Sequence, residues 1–127
     1  MADIPYRLDK KLIVVLAVFQ GKDGERYDAD LIVDTGASLT ILDPSVMVTL
    51  GFTEEDKSAL STVQSPIGKE KGYRLHLPSI ECLGKKVENF EVACHSLGLQ
   101  HIDGLLGMNF LEQFDFCIFP RKNVIRI

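Results

Sequence analysis

No apolar run in this 127-residue chain approaches the roughly 20 residues that a membrane-spanning helix needs. The longest, residues 12–19, is long enough for one strand, and it lacks the small-residue cleavage site of a secretory signal. The chain therefore reads as soluble and cytoplasmic, with no membrane partner. Positive charge is not in excess either: 14 Lys and Arg against 18 Asp and Glu leave a net charge of -4, which disfavours nucleic acid and anionic lipid. Cysteine is sparse. Cys82, Cys94 and Cys117 are odd in number and far apart, so they are expected to be reduced, buried, small hydrophobes. Together with His76, His95 and His101 they form no Cys-x-x-Cys or His-x-x-x-His spacing, so neither a metal site nor a cofactor is expected. Adjacent Cys94 and His95 make no nucleophile pair, because neighbouring strand residues point to opposite faces. Nor is there a βαβ alternation or an internal repeat, which sets aside parallel-sheet and solenoid architectures.

What is present is a composition of 46% hydrophobic and 25% charged residues, ordinary for a globular protein, and a length that fits one domain over residues 1–127. Period-two patterning dominates. Residues 11–20 are apolar and β-branched and stop at Gly21-Lys22-Asp23-Gly24, a hairpin turn, after which Tyr27, Ala29, Leu31 and Val33 alternate on one face of the return strand. A short strand over residues 39–42 precedes Asp43-Pro44, which marks a helix start and predicts a short helix ending near Gly51; residues 53–56 begin another brief turn. Strands resume over 61–65 and 72–77 around a polar tip at 66–71. In the second arm Tyr73, Leu75 and Leu77 share one face while Arg74 and His76 share the other, so His76 reads as a solvated strand residue. Residues 79–82 and 87–95 form a further hairpin about Gly84-Lys85-Lys86. Residues 103–107 read as a short strand, 108–114 as a short helix with Phe110, Leu111 and Phe114 at helical spacing, and 116–119 with 123–127 as a closing hairpin. The expected fold class is all-β with one or two short helices.

One segment carries chemistry. Asp34-Thr35-Gly36-Ala37-Ser38 follows the apolar run Leu31-Ile32-Val33, so a strand delivers a carboxylate onto a tight loop. Carboxylate catalysis of amide hydrolysis needs two acids in different protonation states sharing one water. The chain holds no second Asp-Thr-Gly or Asp-Ser-Gly and is too short for two copies of a lobe, so the second carboxylate must come from another copy. Asp with Gly two residues later is also a common turn. Here the loop stands behind an apolar strand, and a second motif, Leu105-Leu106-Gly107, follows about seventy residues on.

The loop from Val33 to Ser38, a hairpin about Gly68, and Leu105-Leu106-Gly107 ahead of a short helix resemble a retropepsin-like aspartic protease in order and spacing, over most of the chain. The resemblance implies an acid-protease half-barrel in single-lobe form. A ψ-type loop would carry the catalytic Asp34, and a flap hairpin would have Pro66, Ile67 and Gly68 at its tip. It also implies a homodimer acting as an endopeptidase on a peptide or protein substrate, without a metal or cofactor. Gly36 leaves room for its own N–H to approach the Asp34 carboxylate. The resemblance gives Thr35 a hydroxyl donated across the two-fold axis, sets Leu105 and Leu106 as a wedge beneath the loop, and lets the strand at Gly107 pass close to it. Two Asp34 carboxylates at the interface would hold one proton between them; the ionised one takes a proton from water while the protonated one hydrogen-bonds the scissile carbonyl. Ala37, unlike the Ser or Thr often found there in pepsin-like loops, offers no hydroxyl to the ionised carboxylate.

Two departures stand out. Retroviral members follow Asp-Thr-Gly-Ala with an acid that pairs with an Arg just after the later Gly, whereas Ser38 and Met108 stand here, so the dimer needs another hold. Those enzymes also interleave short terminal strands between subunits. This chain ends in a full hairpin, as in the protease domain of ubiquitin-receptor shuttle proteins, and residues 116–119 and 123–127 are expected to build the dimer sheet. Two other readings stand beside the peptidase: a catalytically silent retropepsin-like domain that dimerises and binds extended peptides, and a structural β-domain. The intact Asp34-Thr35-Gly36 counts against both, since neither needs a pair of mutually repelling acids.

Overall fold

The computed structural model describes residues 1–65 and 68–127, with the backbone alone for 63–65 and 68–70. The chain begins with two strands, Asp3–Pro5 (β1) and Arg7–Asp9 (β2), each too short to show an alternation in the sequence. Leu12–Gln20 (β3) and Arg26–Val33 (β4) form the expected hairpin, in register from Val14↔Ile32 to Gln20↔Arg26. Thr40–Leu42 (β5) leads into the helix Pro44–Thr49 (α1), which starts as its sequence requires: the Asp43 carboxylate accepts from the Ser45 N–H at 3.0 Å and Pro44 occupies the first turn. Thr53 and Asp56 close a capping box on the single 3-10 turn Glu54–Asp56.

Ala59–Ser65 (β6) pairs with Gly68–Cys82 (β7), and β7 pairs with Lys85–Cys94 (β8). Two expectations change here. The pairing of β6 with β7 continues to Ser65↔Gly68, so the tip expected over 66–71 narrows to Pro66 and Ile67, which lie outside the described residues. The two strands expected on either side of Pro78 are one strand of 15 residues. Proline lacks a ladder donor, yet its neighbours Leu77 and Ser79 pair with Phe90 and Glu88 without a slip, so the register carries through. Gly104–Leu106 (β9), the short helix Met108–Leu111 (α2), Cys117–Phe119 (β10) and Val124–Arg126 (β11) complete the chain. The last turn of the expected helix instead tightens, with Phe114 N–H bonded to the Leu111 carbonyl.

The long sheet closes on itself. β3 pairs with β4 along most of its length and with the far half of β7 near its end, giving a ring β3-β4-β9-β5-β8-β7 that returns to β3. Closure leaves no open edge within the ring. Its interior is filled by the apolar face of each strand, among them Phe19, Leu31, Leu77, Ile80, Val92 and Leu106, with Phe110 of α2 set edge-on to Phe90 at 6.1 Å between ring centroids. A second, three-stranded sheet has the order β1-β11-β10, so the two ends of the chain pair with each other, and Ile125 and Ile127 point into the core. β11 therefore has both edges occupied within its own chain.

The cysteines divide in a way their spacing does not reveal. Cys82 and Cys94 are buried, as expected, whereas Cys117 is exposed on β10, an outer strand whose outward residues meet solvent. Burial pushes the Cys82 thiol up to about 12 and raises that of Cys94 against a hydrogen bond with the Tyr73 hydroxyl. A thiol reagent at pH 8 should label Cys117 alone in the native protein and all three cysteines after denaturation, read by intact mass. Labelling of Cys82 at a rate matching Cys117 would contradict this packing. The same shift has a stability consequence: above about pH 9 an unfolded Cys82 gives up a proton that the folded one keeps, so stability falls as pH rises through that window.

Candidate active site

β9 runs parallel to β4 on one side and antiparallel to β5 on the other, so it lies between the two strands that residues 34–39 connect. The chain leaving β4 must arch over the end of β9 to come down as β5, and Asp34 sits at the start of that arch. This is the ψ arrangement. It requires the backbone of the loop and of the β9–α2 junction to pass almost in contact, which explains Gly107: a Cβ there would lie 2.6 Å from the Leu39 carbonyl group and 2.8 Å from the Ala37 carbonyl oxygen.

Main-chain bonds fix the arch. Asp34 N–H donates to the Leu106 carbonyl at 2.9 Å, Met108 N–H to Ala37 at 2.7 Å, and Asn109 N–H to Ser38 at 3.0 Å, while Ala37 N–H turns back to the Asp34 carbonyl at 3.2 Å. The Asp34 carboxylate, half-buried, accepts the Gly36 N–H at 2.9 Å. A Cβ on Gly36 would lie 3.2 Å from that same oxygen, so glycine allows the approach. No cation pairs with Asp34 among the described residues. Thr35 and Gly36 are exposed at the crown of the loop. Leu106 points into the core with no exposure. Leu105, its neighbour on the strand, faces the other way and is half-buried.

Beneath the arch is a polar brace that neither local spacing nor hydrophobic pattern marks. Thr40, fully buried, donates its hydroxyl to Asn109 Oδ1 at 2.9 Å and accepts the Gly107 N–H at 3.1 Å. Asn109 Oδ1 also takes the Thr40 N–H at 2.9 Å, and its Nδ2 donates to the Glu91 carbonyl at 2.7 Å. Three separate elements, β5, β8 and the start of α2, are thus joined at one buried point. Replacing Thr40 by Val keeps the volume but strands the Gly107 N–H, so Thr40→Val should lower stability by about 1–3 kcal/mol. Urea unfolding measures this, and a midpoint equal to wild type would remove the brace from the account. A second brace, Asp103, accepts the Tyr27 hydroxyl at 3.0 Å and the Asp30 N–H at 2.8 Å; burial, and then the neighbouring Asp103, raise the Tyr27 phenol above its ordinary range.

Of the expected flap tip, Gly68 begins β7, and Pro66 and Ile67 lie outside the described residues. Below the flap arms a groove of about 440 Å³ runs beside the loop, from Gly36, Ala37 and Ser38 across to Leu60, Ser61 and Thr62 of β6 and Arg74 of β7. One side of the arch is therefore a carboxylate on a rigid loop and the other is an open trough, large enough for extended peptide side chains.

A family model for aspartyl proteases matches residues 18–110, from within β3 to α2, and so takes in both the Asp34 loop and the Gly107 junction. The chain belongs to the aspartyl protease family. Among solved structures, a retropepsin-like aspartic protease from Rickettsia conorii is similar to it at 25% identity and a TM-score of 0.67, over 98% of this chain and 87% of that one. No curated protein matches. The retropepsin-like fold expected from the sequence is thus the fold observed, and the family is one of peptidases. No helix among the described residues is long and apolar enough to cross a membrane.

Proposed function

We propose that residues 1–127 form one protease domain that hydrolyses peptide bonds as a homodimer, with Asp34 of each copy forming a catalytic pair. The observation that carries this reading is the state of Asp34: a carboxylate held by one backbone N–H at 2.9 Å, on a loop anchored at several points, with no cation among the described residues to neutralise it. The Gly36 N–H is a turn-type backbone donor to one oxygen of Asp34, and no basic partner among the described residues takes the other. Asp34 keeps acceptor capacity toward the surface, where the crown of Thr35 and Gly36 is available to the same crown of a second copy.

In that dimer the two carboxylates cannot both ionise at close range, so the pair shares a proton. The ionised member removes a proton from water as it attacks the scissile carbonyl. The protonated member donates a hydrogen bond to the carbonyl oxygen, and the leaving nitrogen then collects a proton from the pair. Gly36 N–H holds the carboxylate plane, Thr35 is placed to tie the two loops together, and Ala37, Leu105 and Gly107 border or support the loop. The flap arms β6 and β7 cover the substrate. Incubating a diverse peptide mixture with the wild-type protein and with Asp34→Asn, and reading new termini by mass spectrometry, tests this function. A mixture left intact by wild-type dimer would overturn it.

A further inference from the structure

We propose that Arg74 is a specificity-determining residue, whose guanidinium forms a subsite for an acidic side chain of the peptide beside the Asp34 loop. This inference rests on the peptidase reading and adds a substrate class to it. Sheet register sets the position. Arg74 pairs with Ala59 on one side and Ala93 on the other, and Ala93 pairs with Ile41, so the four form one row across the sheet, of which Arg74, Ala93 and Ile41 line the groove. Two alanines flanking an arginine leave its long side chain free to lie along the sheet and reach the groove.

Among the described residues Arg74 lacks a partner. Arg7, Arg26 and Arg126 each hold an aspartate, at 3.4 Å from Asp30, 3.1 Å from Asp28 and 2.6 Å from Asp3 respectively. Arg121 sits on the exposed turn between β10 and β11. Among the described residues, Arg74 is the one half-buried arginine with no carboxylate within reach, and its Nε is buried with no hydrogen-bond acceptor. A buried N–H of this kind normally finds an acceptor. Among the described residues the groove it borders carries no Asp or Glu; its other walls are small, apolar or hydroxyl-bearing. A planar donor fork with unused N–H groups in an open trough matches a carboxylate in both charge and shape. With a net charge of -4 the molecule as a whole does not attract acidic peptides, so a Glu preference would come from a local cation such as this one.

Peptide pools that differ only in Glu or Gln at a single position, moved along the peptide, test the proposal on wild type, Arg74→Met and Arg74→Lys. The wild type should cleave the Glu pool about 10- to 100-fold faster in kcat/KM at one register relative to the cut. The Met variant should bring that ratio close to one, and the Lys variant should keep part of it. Arg74→Met removes an unpaired buried N–H and leaves no orphan behind, so its thermal midpoint should hold or rise; Arg74→Gln stands in if the Met variant does not fold. Equal cleavage of the two pools by wild type at every register, or a Glu preference that survives in the Met and Gln variants, would overturn the assignment. If wild type cleaves neither pool, retention of the same pools on immobilised protein decides. Glu-selective retention lost in Arg74→Met keeps the subsite and sinks the peptidase, while equal retention ends both.

Discussion

Asp34→Asn is expected to abolish peptide cleavage, lowering kcat/KM by about 10³-fold or more, while the protein still folds and dimerises. Two arguments give the size. The amide can neither accept the proton of the attacking water nor share a proton with its twin, so both copies of the site lose their chemistry at once. The fold should not notice. Asn keeps an oxygen for the Gly36 N–H at 2.9 Å, and the anchors of the loop are main-chain bonds to Leu106, Ala37 and Ser38 that the change leaves alone. Where two carboxylates face each other in a dimer, replacing both with amides also relieves repulsion, so the dimer should be as stable as the wild type or more so. The measurement is turnover of a cleaved peptide alongside sedimentation and thermal unfolding. Substantial turnover in the mutant, free of wild-type protein, would take Asp34 out of the mechanism; loss of folding would mean the carboxylate is structural.

Dilution should have an effect of similar size. Each chain offers one Asp34 and one groove, so a monomer is half a site, and activity per chain follows the fraction dimerised. Well below the dissociation constant, each tenfold dilution should cost about tenfold in specific activity, with a matching shift in sedimentation. The topology constrains how such a dimer forms. β11 already pairs with β1 and β10 in its own chain, and an ion pair from Arg126 to Asp3 at 2.6 Å reinforces the first of these. Strand pairing between copies through residues 123–127 would have to break that sheet, so within it the outer edges of β1 and β10 are the ones left open. A monomer by sedimentation that retains full activity would end the half-site argument.

The Asp34 loop was legible because a strand leading into a tight turn is written in a short contiguous string, and Leu31 to Ser38 is one. The helix start at Asp43-Pro44 and the capping box at Thr53 are local in the same sense: each is satisfied by atoms within three residues, so propensity and spacing are enough. The alternation of Leu75 and Leu77 against His76 likewise placed the core face of β7 correctly. Tertiary structure decided everything that depends on distant pairing. Thr40 and Asn109 meet across 69 positions, and nothing about either residue's neighbours marks it as a brace. β1 and β2 are only strands because β11 and β3 supply their hydrogen bonds. Pro78 looks like a strand end until β8 and β3 hold its neighbours in register on both sides. Arg74 is an ordinary cation in the sequence, and only the closed sheet sets it between two alanines, beside the Asp34 loop, with no acid to meet among the described residues. The physical reason is the same in each case: a local motif is specified by short-range sterics and hydrogen bonds, whereas partners far apart in the chain are chosen by the closure of the sheet.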